Sequence, residues 1–299
     1  MSYDSPRLQE LELIERFAIS LLLIAISTTD ALANWPRQSL AQSLDSPPIQ
    51  RPFPIAVASE LDDGVARVAI TAQLNTPYSD LQRFAQSDEA WCQAFFANIY
   101  VKACYKHTSK LVIFFNNNDS YQELADAFRF EYVIDHQIIN AQRLSIALVA
   151  SDGPLGSSDY RLRIDAEPSS DHGSRIRLVY QSHYGVVARA ALYIYLKTLG
   201  RGKMGFSRAE DGQVIEGIRG ILERNAMRYL LAICAYLYNP NSVKALEPTL
   251  KRWHDYAEEF RQQLDEIDWP SYQKLKLREY QDQRLLQQQQ GKLPVKSDW

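Results

Sequence analysis

The chain has 299 residues, with 33 lysines and arginines against 36 aspartates and glutamates, for a formal net charge of −3. At 46% hydrophobic and 23% charged residues it has a globular composition, which excludes a mainly disordered chain and a multi-span membrane protein. The near-neutral balance argues against a nucleic-acid binder, three cysteines exclude a disulfide-stapled miniature, and the length suits one large domain or two small ones.

Residues 17–26, FAISLLLIAI, carry no charge but are too few for a bilayer span, which takes roughly 20 apolar residues. Ala31-Leu32-Ala33 follows as an A-x-A site of the kind signal peptidase cuts. Residues 1–33 are therefore expected to be a signal peptide and the protein to be exported, to the periplasm. The n-region is atypically acidic, with Asp4, Glu10, Glu12 and Glu15 against Arg7 and Arg16; a translation start near Leu11 or Leu13 would remove most of that excess. Cleavage takes away five acids and two bases and leaves 31 of each, a chain without a long-range field to steer it to polyanions or membranes. In an oxidising compartment Cys92 and Cys104 can bridge a short helix to the next strand, and three buried free cysteines are the alternative. Cys234 falls in an apolar helix.

Residues 34–62 read as a Pro-rich linker (Pro47, Pro48, Pro52, Pro54). Val65–Leu74 then alternates as a half-buried strand. Thr76-Pro77 and Ser87-Asp88-Glu89 start two short helices, about 77–86 and 88–96. Strands follow at 99–107, with Lys102 and Lys106 on the outer face, and at 111–115. Four longer ones cover 127–139, 143–150, 159–167 and 175–184, giving seven in all. Strict alternation with charged outer positions is antiparallel behaviour. Residues 186–199 show a helical stripe through Val187, Ala190, Ile194 and Tyr195. The longest helix spans about 214–238; its back half is apolar all round and needs cover on both sides. Helical segments within 241–299 (Leu250, Trp253, Phe260, Leu264, Ile267) are the natural cover, interrupted at Asp268-Trp269-Pro270.

One strand, two short helices, six meandering strands and a long amphipathic helix is an order that resembles the START-like (SRPBCC) helix-grip superfamily, shared with Bet v 1. The resemblance covers about residues 65–238. It is carried by that order, by LNTPYSDLQRFAQSDEAWCQAFF (74–96), and by the last helix. DGPLGSSDY (152–160) and GIRGILERNAMRYLLA (217–232) look like those of uncharacterised exported bacterial members. It implies an α+β domain over 63–240, a curved antiparallel sheet wrapped around the long helix, and an apolar cavity between them. The extra helix at 186–199 and the 241–299 extension depart from the pattern, and either would cap or occlude that cavity.

On that fold Phe128, Phe130, Tyr132, Tyr160 and Tyr180 face the helix, and Asn225 and Tyr229 face the sheet. Together they are the expected ligand-binding set, mostly apolar with a few polar anchors for a lipid-like guest. Arg224 and Arg228 are head-group candidates, since two like charges at i,i+4 call for an anion. No cofactor, metal or catalytic set is expected. The string GRGKMG (200–205) follows a helix instead of a strand, the five histidines lack metal-ligand spacing, and Ser157-Ser158 has no nucleophile elbow. The leading function is binding, and possibly transport, of a hydrophobic ligand in the cell envelope, with transient membrane or envelope-protein contact and no nucleic acid. An enzyme of cyclase or hydrolase type would need Asn225 with Tyr132, Tyr160 or His183 converging in the same cavity. An interaction protein would instead expose Trp253, Phe260 and Ile267 in one patch.

Overall fold

The strands of this chain are joined mostly by tight turns, so each pairs with its sequence neighbour and the sheet grows as a meander. A computed structural model describes residues 53–116, 118–170, 172–198, 203–238 and 246–288. The signal-peptide reading of residues 1–33, the prolines at 47, 48 and 52, and the glycines at 200 and 202 lie outside the described residues. Eight strands form one fully antiparallel sheet: β1 (Ile55–Asp62), β2 (Val65–Leu74), β3 (Val101–His107), β4 (Lys110–Phe115), β5 (Phe128–Ile139), β6 (Leu144–Asp152), β7 (Ser157–Pro168) and β8 (Ser174–Tyr184). Their order is β1-β2-β8-β7-β6-β5-β4-β3, an open sheet with β1 and β3 at its edges. Register shifts in β3, β5 and β7 mark bulges, which bend a strand and increase its twist.

The count of seven is corrected to eight. Residues 55–62, read as the end of a linker, pair with β2 from Ile55 opposite Ala72 to Asp62 opposite Val65. The two-residue turn Asp63-Gly64 has positive φ at both positions, 43° and 79°, the backbone that matches the twist of a tight hairpin.

Among the described residues seven α-helices accompany the sheet: α1 (Tyr78–Ala85), α2 (Asp88–Phe96), α3 (Val186–Lys197), α4 (Gly217–Leu237), α5 (Leu246–Glu258), α6 (Arg261–Leu264) and α7 (Trp269–Gln288). Ser87 caps α2 by accepting from the Ala90 amide. Among the described residues no helix is long and apolar enough to cross a membrane. Helix α4 lies against β1, β2 and β8 on one side and against α2 and α5 on another. Leu222, Ala226, Leu230 and Ile233 are closed to solvent, as its all-round apolar back half requires. Trp253 and Phe260, whose exposure would have favoured an interaction surface, are buried in the same core, and the Trp253 indole donates to the Arg228 carbonyl at 3.2 Å.

Helix α7 covers edge strand β3. Lys276 donates to the Val101 carbonyl at 2.6 Å, the Gln283 side-chain oxygen accepts from the Cys104 amide at 2.9 Å, and the Tyr272 hydroxyl donates to the Ala97 carbonyl. Side chains of one helix thus satisfy backbone groups that an edge strand otherwise offers to another chain. Lys102, assigned by alternation to an outer face, is buried under this helix and pairs with Glu279 at 2.9 Å. Lys106 does lie outside, paired with Asp88. A disulfide joins Cys92 in α2 to Cys104 in β3, and Cys234 is free and buried. Burial pushes the Cys234 thiol far above its ordinary range, so it stays protonated and inert.

Candidate ligand-binding site

Alternation along β5 brings Phe128, Phe130 and Tyr132 to the face that β7 and β8 share through Tyr160 and Tyr180. The rings form one continuous chain. Phe130 contacts Phe128 at 4.8 Å between centroids, Tyr132 at 5.8 Å and Tyr160 at 4.9 Å. Tyr160 leads to Tyr180 at 6.3 Å, Tyr180 to Tyr229 of α4 at 5.9 Å, and Tyr229 to Phe95 of α2 at 5.1 Å. Phe130 and Tyr160 meet although β6 runs between their strands. The β6 residue opposite Tyr160 is Ala150, and its single methyl lets the two rings close over it. Gly153 contributes similarly: a Cβ there would stand 2.1 Å from the Tyr160 ring, so only glycine leaves that ring its place.

Four of these rings carry phenols in apolar surroundings. Tyr132 and Tyr180 hydrogen-bond each other, and the Tyr160 hydroxyl lies 2.7 Å from Ser157 Oγ. For Tyr229 burial is the cause that raises the phenol pKa. Burial raises all four pKa values, those of Tyr132 and Tyr180 far above the usual phenol range, so each remains a neutral donor in any physiological medium. Phe128 is half-buried, at the end of the chain of rings. Asn225 is half-buried one turn before Tyr229 on the same side of α4, the i,i+4 relation.

The structure separates the other predicted residues from this group. Arg228 is buried with its guanidinium on Glu266 at 2.6 Å, on the Leu264 carbonyl at 3.2 Å and over the Tyr100 ring at 4.5 Å. Arg224 donates to the same Leu264 carbonyl at 3.0 Å. The anion that the like-charged pair calls for is the chain's own Glu266, which holds the Arg228 guanidinium protonated while burial lowers Arg224. His183 sits on the face of β8 opposite Tyr180, 3.3 Å from Ser158 Oγ, and does not join the phenols.

Two buried polar clusters escaped sequence reasoning. Glu223 of α4 is closed to solvent and accepts from the Ser59 and Ser207 hydroxyls and the Phe206 and Ser207 amides. Gly205 approaches it so closely that a Cβ would stand 2.3 Å from its carboxylate, which gives that glycine a packing role. The second cluster is Lys102, Lys276 and Glu279 under α7. Lys276 and Glu279 are an i,i+3 pair on one helix, but their burial has no local signal, because Lys102, like the Ser59 and Ser207 that cover Glu223, comes from another segment. Separately, a cleft of about 580 Å³ opens between α3, the end of β1 and the start of α4.

No protein-family model matches the chain, and no curated protein matches it. Among solved structures it is similar to CalU16 from Micromonospora echinospora, at 9% identity and a TM-score of 0.32, over 70% of this chain and 98% of that one. It is likewise similar to EF2215 from Enterococcus faecalis, a conserved protein of unknown function, at 9% identity and a TM-score of 0.32, over 69% of this chain and 91% of that one.

Proposed function

We propose that the chain is an exported START-like protein that holds a hydrophobic, lipid-like molecule between the sheet and α4, in a site lined by Phe128, Phe130, Tyr132, Tyr160, Tyr180, Tyr229 and Asn225. One observation carries the reading: the rings of four tyrosines, Tyr132, Tyr160, Tyr180 and Tyr229, converge on the inner face of the sheet. Burying a hydroxyl costs free energy unless something accepts its proton, so a solid core would use phenylalanine. A guest with an apolar body and an oxygen at one end would pack against the rings and accept from a phenol. Residual exposure agrees: Tyr160 and Tyr180 keep 6% of their surface, whereas Ile176 and Leu178 beside them keep none. That is the pattern expected where space remains beside rings. The Cys92–Cys104 bridge supports an oxidising envelope compartment. With His183 facing outward, the enzyme alternative lacks a titratable partner for these neutral phenols.

Native mass spectrometry of protein purified from an envelope fraction, followed by displacement with a fluorescent fatty acid, tests this directly. Replacing Ala150 with leucine puts three more carbons where Phe130 and Tyr160 meet. If space remains, A150L folds with little loss and uptake disappears. A clean apo mass together with no uptake by the wild type overturns the reading. So does a destabilisation of about 1–3 kcal/mol in A150L, the cost of overpacking a full core.

A further inference from the structure

Helix α3 keeps its apolar side on the outside. Of its twelve residues only Ala188 is buried, and the fold is met by half-buried Ala191, Leu192, Tyr195 and Leu196. Val186 is 74% exposed, Tyr193 63% and Ile194 57%. Positions 186, 187, 190, 193, 194 and 197 form one face by the helical period, so the exposure belongs to a surface and not to scattered residues. This differs from the buried stripe expected through Val187 and Ile194, both of which are exposed. Leu61 and Leu155, exposed beside α3, extend the patch. A monomer rarely leaves such a patch in water without a partner for it.

The charges around the patch select the partner. Helix α3 carries Arg189 and Lys197 and no acid. Arg189 and Arg219 line the cleft beside it, against Glu216 as the one acid of that lining. Lys197 lies over the Tyr193 ring at 5.5 Å, an amphipathic tyrosine next to a long cation. Arg219 is held on Ser59, and the exposed Asp62 and Asp63 follow Leu61, so among the described residues the free cations are those of α3 itself. Exposed apolar residues interleaved with Arg189 and Lys197, with tyrosine at the boundary, is the composition of a helix lying in a bilayer interface. The neutral net charge expected after signal cleavage is no obstacle, because attraction to a surface acts within a Debye length, about 8 Å at physiological salt.

We infer that α3 and its cleft form the face by which the protein seats on an anionic lipid bilayer, with Val186, Val187, Tyr193 and Ile194 entering the acyl boundary and Arg189 and Lys197 meeting headgroup phosphates. The inference stands apart from the buried-guest reading, since flotation reads this surface and native mass spectrometry reads the interior.

The test is flotation of the full chain with phosphatidylcholine vesicles, with and without phosphatidylglycerol. Binding is expected to need phosphatidylglycerol and to fall with added salt. The double variant Arg189→Gln/Lys197→Gln is expected to bind about 30-fold more weakly, from roughly a factor of five per cation near an anionic surface. Ile194→Asp should abolish binding. Because all three side chains are exposed, thermal melts of both variants should match the wild type, and a melt that does not match sets that variant aside in favour of the other. Absence of flotation overturns the inference, as does flotation unchanged in both variants. A wild-type dimer on size exclusion that I194D dissociates would assign the face to a second copy and overturn it equally.

Discussion

The cluster under α7 places two ammonium groups around one carboxylate. Lys102 and Lys276 approach opposite oxygens of Glu279 at 2.9 and 2.8 Å, and all three side chains are closed to solvent. One positive charge is therefore in excess in a dry place. Burial and the neighbouring Lys102 lower the Lys276 pKa to about 8, with Glu279 opposing them. The unfolded chain holds that proton up to about 10.4. Between these values the unfolded state holds the Lys276 proton more firmly than the folded one, so the contribution of Lys276 to stability rises with pH across the window. The penalty for charging Lys276 is full below about 8 and relieved as pH climbs toward 10. Integrated from pH 8 to 9.5, the gain is about 1.5 kcal/mol. Cys234 and the buried tyrosines act in the opposite sense, because the fold keeps protons that the unfolded chain loses at about pH 8.5 and 10, so the gain is read as a difference between two proteins. Lys276→Met keeps the stem over Phe96, leaves Lys102 and Glu279 as a balanced pair, and removes only the Lys276 contribution. In urea denaturation followed by circular dichroism at pH 7, 8, 9 and 9.5, the wild type should gain about 1.5 kcal/mol relative to K276M between pH 8 and 9.5; pH profiles of equal slope for the two proteins would refute the reasoning.

Glu266→Gln leaves the buried Arg228 guanidinium without its counter-charge and is expected to cost about 3–5 kcal/mol in urea denaturation; a loss below 1 kcal/mol would mean the pair is more hydrated than its burial implies. Reducing the Cys92–Cys104 bridge opens a loop with a sequence separation of 12 and should lower stability by about 3 kcal/mol, read as a shift of the denaturation midpoint with and without reductant. A stop codon after Asp268 removes α7 and with it the partners of the Ala97 and Val101 carbonyls and the Cys104 amide. The truncated chain is expected to self-associate through β3, and a soluble monomer on size exclusion with native circular dichroism would disprove the role given to the helix.

What was legible in the sequence is what a local pattern can carry. Alternation along 128–132, with the same period at Tyr160 and Tyr180, selects a face, and those rings do meet on it. Strand β1 is hidden by the prolines before it, Pro47, Pro48, Pro52 and Pro54, which give the segment the composition of a linker. The Asp-Gly pair at 63–64, followed by an alternating strand, is a strong hairpin signal that prolines up to Pro54 do nothing to cancel. Lys102 shows the other limit. Alternation put it outside correctly as far as the strand goes, and the outside of an edge strand became an interior only when a helix 174 positions later in the numbering folded over it, with Lys276 beside Lys102. Arg228 depends on Glu266 in the same non-local way, and Phe130 meets Tyr160 because of an alanine that no periodicity marks.

The two departures from the helix-grip order play opposite parts. Residues 228 and 229 are adjacent on α4, about 100° apart around its axis, and meet different neighbours: Tyr229 meets Tyr180 and Phe95, Arg228 meets Glu266 and the α5–α6 region. The C-terminal extension therefore thickens α4 on the Arg228 side and closes the β3 edge. Helix α3 is different. It rests on the short turn Pro154–Gly156, and Gly153 at the base of that turn backs onto the Tyr160 ring. A displacement of α3 at a bilayer would be transmitted through a few atoms to the end of the aromatic chain. If the surface and the interior are coupled in this way, Gly153→Ala, which must push the Tyr160 ring aside, should change guest uptake while leaving vesicle flotation intact. Loss of both together would show instead that the turn only holds α3 in place.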